Sequence, residues 1–191
     1  SDPDSSDTHT YSLVSGSGDN DNNSFTIDGS SLKIKASPDY ETKSSYSIRL
    51  QTTDSSGETY AKAFTLSVGG VNETPTNISL SSSSFNENIA SSSTIATLSS
   101  SDPDSSDTHT YSLVSGSGDT DNNSFTIDGS SLKIKASPDY ETKSSYSIRL
   151  QTTDSGNETY AKAFSFNVNN LNETPSNISL SSSSFNENIS S

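Results

Sequence analysis

Hydrophobic residues in this chain fall on alternate positions of short runs. In YSIRLQTTD, Tyr46, Ile48 and Leu50 alternate with Ser47, Arg49 and Gln51, the period of two that a half-buried strand requires. The same alternation marks HTYSLV (Tyr11, Leu13), SFTID (Phe25, Ile27), SLKIKA (Leu32, Ile34), FTLSV (Phe64, Leu66, Val68), NISL (Ile78, Leu80) and TIATL. Turn-forming residues separate the runs: Asp28-Gly29, Ser37-Pro38-Asp39, Asp54-Ser55-Ser56-Gly57 and the stretch at Pro75. No stretch carries a helical period. About seven short strands per hundred residues with turns between them predict an antiparallel β-sandwich. Lys62 shares the parity of Tyr60 and Phe64, which predicts a bulge or an exposed edge at the start of that strand.

The pattern recurs as a whole. Residues 1–91 align without a gap on 101–191, with eleven differences, among them Ser56/Gly156, Gly57/Asn157, Leu66/Phe166, Gly70/Asn170 and Val71/Leu171. A repeat of this size sets the architecture, and each unit is large enough to bury its own core. Composition pulls the other way: Leu, Ile, Val and Phe together number 34 of 191 residues, a level that with high net charge marks many disordered chains. The strand periodicity is what favours a fold over a disordered acidic tail.

Charge narrows the partners. A formal net charge of −14, with ten Lys and Arg spread mostly along strands, has the wrong sign for nucleic acid or anionic lipid. There is no cysteine, and no hydrophobic run is long enough to cross a bilayer. A cysteine-free extracellular array needs a staple other than disulfides, and the abundant carboxylates make a cation the natural partner.

The carboxylates and amides cluster in short motifs at strand ends. In chain order these are DPD (Asp2, Asp4; Asp102, Asp104), DYE (Asp39, Glu41; Asp139, Glu141), TTD (Asp54; Asp154), NET (Asn72, Glu73; Asn172, Glu173) and NEN (Glu87; Glu187). Oxygen ligands converging from several loops suit a calcium ion, which takes six to eight of them. Asp and Asn also populate turns as caps, so each motif taken alone has that simpler reading.

Taken together, FNEN, SDPD, DYET, QTTD and VNETP resemble, in that order, the cadherin repeat, specifically the cadherin-like repeats found in tandem in large bacterial surface proteins. The resemblance implies an all-β chain of tandem seven-stranded Greek-key sandwiches of the cadherin/Ig-like kind, with Ca2+ at the junctions between repeats. It further implies that Asp39, Glu41, Asn72, Glu73 and backbone carbonyls near Val71 and Thr74 serve a junction with Asp102, Asp104 and Asp154 from the next repeat. Asp2, Asp4 and Asp54 would receive the ion of a preceding junction. Glu87, Asp139, Glu141, Asn172 and Glu173 are the counterparts one period on. The parsing that follows is a partial repeat at 1–75 lacking two strands, a complete repeat at 76–175, and the first strand of another at 176–191.

The chain departs from the family at three points. Gly70 and Asn170 stand where the linker usually has aspartate, Glu73 and Glu173 stand where animal cadherins have aspartate, and the NEN glutamate of the first junction would precede Ser1. Two ions per full junction are therefore expected rather than three. The functional expectation is a calcium-rigidified extender repeat of a large extracellular adhesin or surface filament at the cell surface, with neighbouring repeats and like chains as partners and no membrane insertion. The alternative is a directly adhesive module, homophilic or glycan-binding. An enzyme is not expected, because His9 and His109 stand apart from any second histidine and nothing pairs a nucleophile with a base. The DNDNN loop (Asp19, Asp21, Asn23) opens like an EF-hand, but Ser24 and Ser30 replace the Gly and Glu that such a loop needs.

Overall fold

A computed structural model describes residues 7–187, and it is nearly all β. The chain forms two units, one from residues up to Thr74 together with Asp102–Asp107, the other from Pro75–Ser101 and from Thr108 onward. No helix among the described residues is long and apolar enough to cross a membrane.

The first unit contains β1 (Thr10–Leu13), β2 (Phe25–Asp28), β3 (Ser31–Ile34), β4 (Ser45–Thr53) and β5 (Thr59–Ser67). Its strands form a three-stranded sheet in the order β1-β4-β5 and a β2-β3 hairpin. Gly29, at φ 60°, supplies the left-handed residue of that hairpin's turn.

The second unit has β6 (Asn77–Leu80), β7 (Ser84–Asn86), β8 (Thr94–Ser101), β9 (Thr110–Leu113), β10 (Phe125–Asp128), β11 (Ser131–Ile134), β12 (Ser145–Thr153) and β13 (Thr159–Asn169). Two four-stranded sheets result, ordered β10-β11-β8-β6 and β7-β13-β12-β9. β6 and β7 are one edge strand that changes sheet halfway: β6 runs antiparallel to β8, and β7 runs parallel to the end of β13. Counted so, the unit is a seven-stranded Greek-key sandwich. Ser82 makes the break, its hydroxyl donating to the Ser84 carbonyl (2.7 Å) and accepting from the Ser84 amide (3.2 Å).

The second unit's core is the inward face of both sheets, with Ile78, Phe85, Leu98, Phe125, Leu132, Ile134, Ile148, Leu150, Phe166 and Val168 buried together. Phe85 packs on Phe166 and Tyr146 at ring separations of 5.8 and 5.9 Å. In β8 the register against β11 shifts at Leu132/Lys133. This bulge lets Ile95, Ala96 and Leu98 all be buried although Ile95 and Leu98 have opposite parity.

Lys62 introduces no bulge, contrary to one of the two sequence expectations. The β4–β5 register is regular from Ser45↔Ser67 to Thr53↔Thr59, and the Lys62 ammonium lies 5.4 Å from the Phe64 ring centroid. A long side chain can cover apolar surface with its stem and carry its charge outward. In the second unit Lys162 lies over Phe164 in the same way and also donates to Asn77 Oδ1 (3.0 Å).

The acidic DNDNN loop and its DTDNN twin at 119–123 are backbone staples. Asp21 Oδ2 accepts from the Ser47 amide (2.7 Å), Asn22 Oδ1 accepts from the Arg49 amide (2.9 Å), and Asn22 Nδ2 donates to the Val14 carbonyl (2.9 Å). Lys43 pairs with Asp21, and this hydrogen bond, followed by the Ser47 amide, holds the Asp21 carboxyl below the ordinary range. The loop's oxygens are thus engaged in fastening it to β4.

The two units differ most where β6, β7 and β8 would lie. Leu132 and Ile134 are 0% and 1% exposed, whereas their twins Leu32 and Ile34 are 37% and 39% exposed. Thr152 Oγ1 accepts from Ser100 Oγ (2.8 Å); the buried Thr52 Oγ1 has no partner among the described residues. Leu132→Ala is expected to destabilise the second unit by about 2–5 kcal/mol, the usual cost of a core truncation. Leu32→Ala should cost the first unit less than half as much. Hydrogen exchange of β11 and β3 in the two variants measures the difference.

Candidate metal centre

Each unit gathers three carboxylates at one end. In the first, Glu41, Glu73 and Asp104 offer oxygens that all lie within 4.8 Å of one another. Glu41 lies in the DYE turn, Glu73 sits on the stretch after β5, and Asp104 belongs to the Asp102–Asp107 segment. Two backbone contacts set this segment: the Asp104 amide donates to Asp102 Oδ1 (3.1 Å), and the Glu73 amide donates to Asp104 Oδ2 (2.8 Å). Asp102 therefore organises the turn that presents Asp104.

In the second unit the corresponding group is Glu87, Glu141 and Glu173, again within 4.8 Å. Glu87 is only 1% exposed. Its Oε2 accepts from the Tyr140 amide (2.8 Å) and its Oε1 from the Leu171 amide (2.6 Å), so it ties β7 to both the DYE turn and the linker. Asn88 Nδ2 donates to Glu173 Oε1 (2.7 Å) and Asn170 Nδ2 to Glu141 Oε1 (2.8 Å). These two asparagines were not foreseen as partners of the acidic group. Asn88, at φ 60°, gave no signal in the sequence beyond its place in NEN.

Several other predicted residues also make local hydrogen bonds. Asp39 Oδ1 accepts from the Thr42 amide (2.9 Å) and Oδ2 from the Thr42 hydroxyl (2.9 Å). The amide first and the hydroxyl second hold the Asp39 carboxyl below its ordinary range. Asp139 is lowered likewise, there with the Thr142 hydroxyl as the leading cause. Asp54 Oδ1 accepts from the Ser56 and Glu58 amides (both 2.8 Å), and Asp154 Oδ1 from the Glu158 amide (2.8 Å). Both close the turn after their strand. Asn72 and Asn172 lie exposed on the stretches after β5 and β13. Asp2 and Asp4 lie outside the described residues.

Gly70, where the resemblance calls for aspartate, rests against a ring. A Cβ there would meet Tyr40 carbons at 3.1, 3.3 and 3.4 Å, so a larger residue requires Tyr40 to shift. The equivalent Asn170 instead uses its amide to orient Glu141.

The architecture has close structural relatives. Human protocadherin-24 EC1-2 superposes with a TM-score of 0.65 over 85% of this chain and 82% of that one, at 18% identity. Protocadherin gamma B2 domains 3-6 give 0.64 over 85% and 40%, at 16% identity, and protocadherin gamma B7 domains 1-4 give 0.60 over 84% and 40%, at 19%. The fold is that of cadherin extracellular domains. This chain spans about 40% of the length of the gamma protocadherins it matches. No protein-family model and no curated protein sequence matches it. Within this cadherin fold, the two acidic groups sit on the loops and linkers at strand ends, and their donor set is all oxygen, as a hard cation requires.

The first unit's group is electrostatically strained. Loss of hydration first, then the charges of Glu41 and Asp104, push the Glu73 carboxyl above its ordinary range. A carboxyl raised in the folded state contributes stability at low pH that is lost as pH rises through its folded value. Asp39 and Asp139, being lowered, contribute stability above the ordinary carboxylate range that is lost as pH falls through their folded values. Glu73→Gln, melted in excess chelator, is therefore expected to raise the first unit's melting temperature near pH 7. The gain should vanish below about pH 4, where the wild-type carboxyl is also neutral.

Proposed function

We propose that this chain is a calcium-stiffened spacer of an extracellular surface protein, binding Ca2+ where successive cadherin-like repeats meet. The observation that carries the reading is the convergence of three carboxylates within 4.8 Å of one another in both units. The two groups are also complementary halves of one arrangement. Glu41 and Glu73 are the period-related twins of Glu141 and Glu173; the first pair meets Asp104 and the second meets Glu87. A full site of the array then joins a NEN glutamate, the DYE and NET glutamates and a DPD aspartate, four carboxylates that a divalent ion would neutralise.

On this reading residues 76–175 are a complete repeat, 1–75 a partial one, and 176–191 the start of another. Asp39, Asn72, Asp102, Asp154 and their period-related counterparts remain in the ligand set on the family resemblance. Near-identical copies favour a spacer, because identical units stack by nearest-neighbour contacts. A glycan platform would need tyrosines exposed in every copy. Tyr60 is 68% exposed, but its twin Tyr160 packs on the core. A stiffened array of such repeats would hold its functional end away from the cell surface.

Melting curves in millimolar calcium, millimolar magnesium and excess chelator test the proposal. Calcium should raise the melting temperature by mass action, by the equivalent of about 2.7 kcal/mol at a hundredfold excess over its dissociation constant, and magnesium should not. Glu41→Gln combined with Glu73→Gln should abolish the first unit's share of the shift. Coincident curves in calcium and chelator would overturn the reading.

A further inference from the structure

The two copies of the repeat differ most where the chain leaves the last strand. Of the eleven differences between 1–91 and 101–191, six fall in the seven positions 65–71, among them Gly69/Asn169 and Gly70/Asn170. The acidic motifs around this stretch do not vary. DYE is the same at 39–41 and 139–141, NET at 72–74 and 172–174, and NEN at 86–88 and 186–188. The repeat thus keeps its acidic groups and changes the linker that runs past them.

In the second unit the two asparagines hold that linker. Asn169 Nδ2 donates to Asn86 Oδ1 (3.0 Å), and Asn170 Nδ2 donates to Glu141 Oε1 (2.8 Å). The backbone between them is engaged as well. The Asn169 carbonyl accepts from the Glu87 amide (3.2 Å), and the Leu171 amide donates to Glu87 Oε1 (2.6 Å). Residues 169–171 are therefore fastened both to the end of β7 and to the DYE turn, by contacts made within one unit. All four bonds join protein groups to one another, so no ion is needed to make them.

Glycine has no side-chain donor, so Gly69–Gly70 cannot form either carboxamide bond, whatever lies beside it. Glycine also has the widest backbone freedom of any residue, and two in succession raise the entropic cost of holding a linker in one path. What can still fix such a linker is an ion gripped by the carboxylates around it.

We infer that residues 69–70 and 169–170 set how far each linker depends on a cation. The Asn169–Asn170 linker is held by its own side chains, and the Gly69–Gly70 linker is held only when the ion is bound. An array built this way carries two grades of linker on one set of acidic motifs. When calcium falls, glycine linkers loosen while asparagine linkers keep their path, so compliance appears at chosen points of the array. The part assigned to the ion rests on the calcium reading above; the fastening by asparagine does not.

Amide hydrogen exchange of the 191-residue protein, first in excess chelator and then in millimolar calcium, tests this. Asn169→Gly combined with Asn170→Gly places the glycine linker in the complete sandwich, so the comparison stays within one unit. In chelator the Leu171 and Glu87 amides of this variant should exchange at least about tenfold faster than in the unsubstituted chain, the size expected from two lost hydrogen bonds and added backbone freedom. The Ile148 and Leu150 amides in β12 should not change. Asn169→Ala with Asn170→Ala removes the donors without glycine's freedom and should give most of the same acceleration. In calcium the gap between the glycine variant and the unsubstituted chain should close. Unchanged exchange at Leu171 and Glu87, full protection in the alanine variant, or equal acceleration at Ile148 and Leu150 would each overturn the inference. So would a gap that stays as wide in calcium that does shift the melting curve. Absence of any melting shift defeats the calcium reading instead, and the chelator result then still decides whether asparagine holds the linker.

Discussion

The apolar supply of this chain is so small that its fold depends on burying one face of every strand between two sheets. Leu, Ile, Val and Phe make up 34 of 191 residues. In the complete sandwich these residues are concentrated on the inner faces, where Phe125, Ile148, Leu150 and Phe166 are fully buried. There is no surplus to cover a missing element. Where no edge strand and neighbour cover β3 among the described residues, identical side chains remain partly in water, and the two copies of one sequence reach different burial. Burial here is a property of the neighbours a strand finds.

Polar groups supply much of the remaining specification. Asp21 and Asn22 hold the loop before β2 to the backbone of β4, and Asp121 and Asn122 do the same in the second unit, where Lys143 pairs with Asp121 at 2.8 Å. Glu87 is buried with both oxygens bonded to amides of two separate segments. A buried carboxylate is costly unless its acceptors are satisfied, and here satisfaction links the edge strand to the DYE turn and the linker. The residue that closes the sandwich is thus also the one that brings a charge to the acidic group.

The same hydrogen bonds tie the acidic end of the second unit to its folded backbone. In the first unit, loss of hydration first, and then the charges of Glu41 and Asp104, push the Glu73 carboxyl up. A bound divalent ion would reverse the sign of that interaction. In the second unit the asparagines at 88 and 170 direct amide hydrogens at Glu173 and Glu141.

The strands were legible in the sequence because alternation of apolar and polar residues is a local consequence of the pleat. The runs at Tyr46–Leu50, Leu32–Ile34 and Ile78–Leu80 all lie in strands. The five acidic motifs could also be read, since turn residues and strand ends are local, and three of them meet in each unit's acidic group. Sequence could not say which oxygens also accept from the local backbone: those of Asp39 bond the Thr42 amide and hydroxyl, and Oδ1 of Asp54 bonds the Ser56 and Glu58 amides. Nor could it place Lys62 without a bulge, put Ile95 and Leu98 on one buried face through a bulge in β8, or set Gly70 against Tyr40. Above all, residues 77–89 and 177–189 are the same sequence, yet Ile78 is fully buried and Ile178 is 93% exposed. Local pattern determines what a segment can become, and long-range partners, which no local pattern contains, decide whether it does.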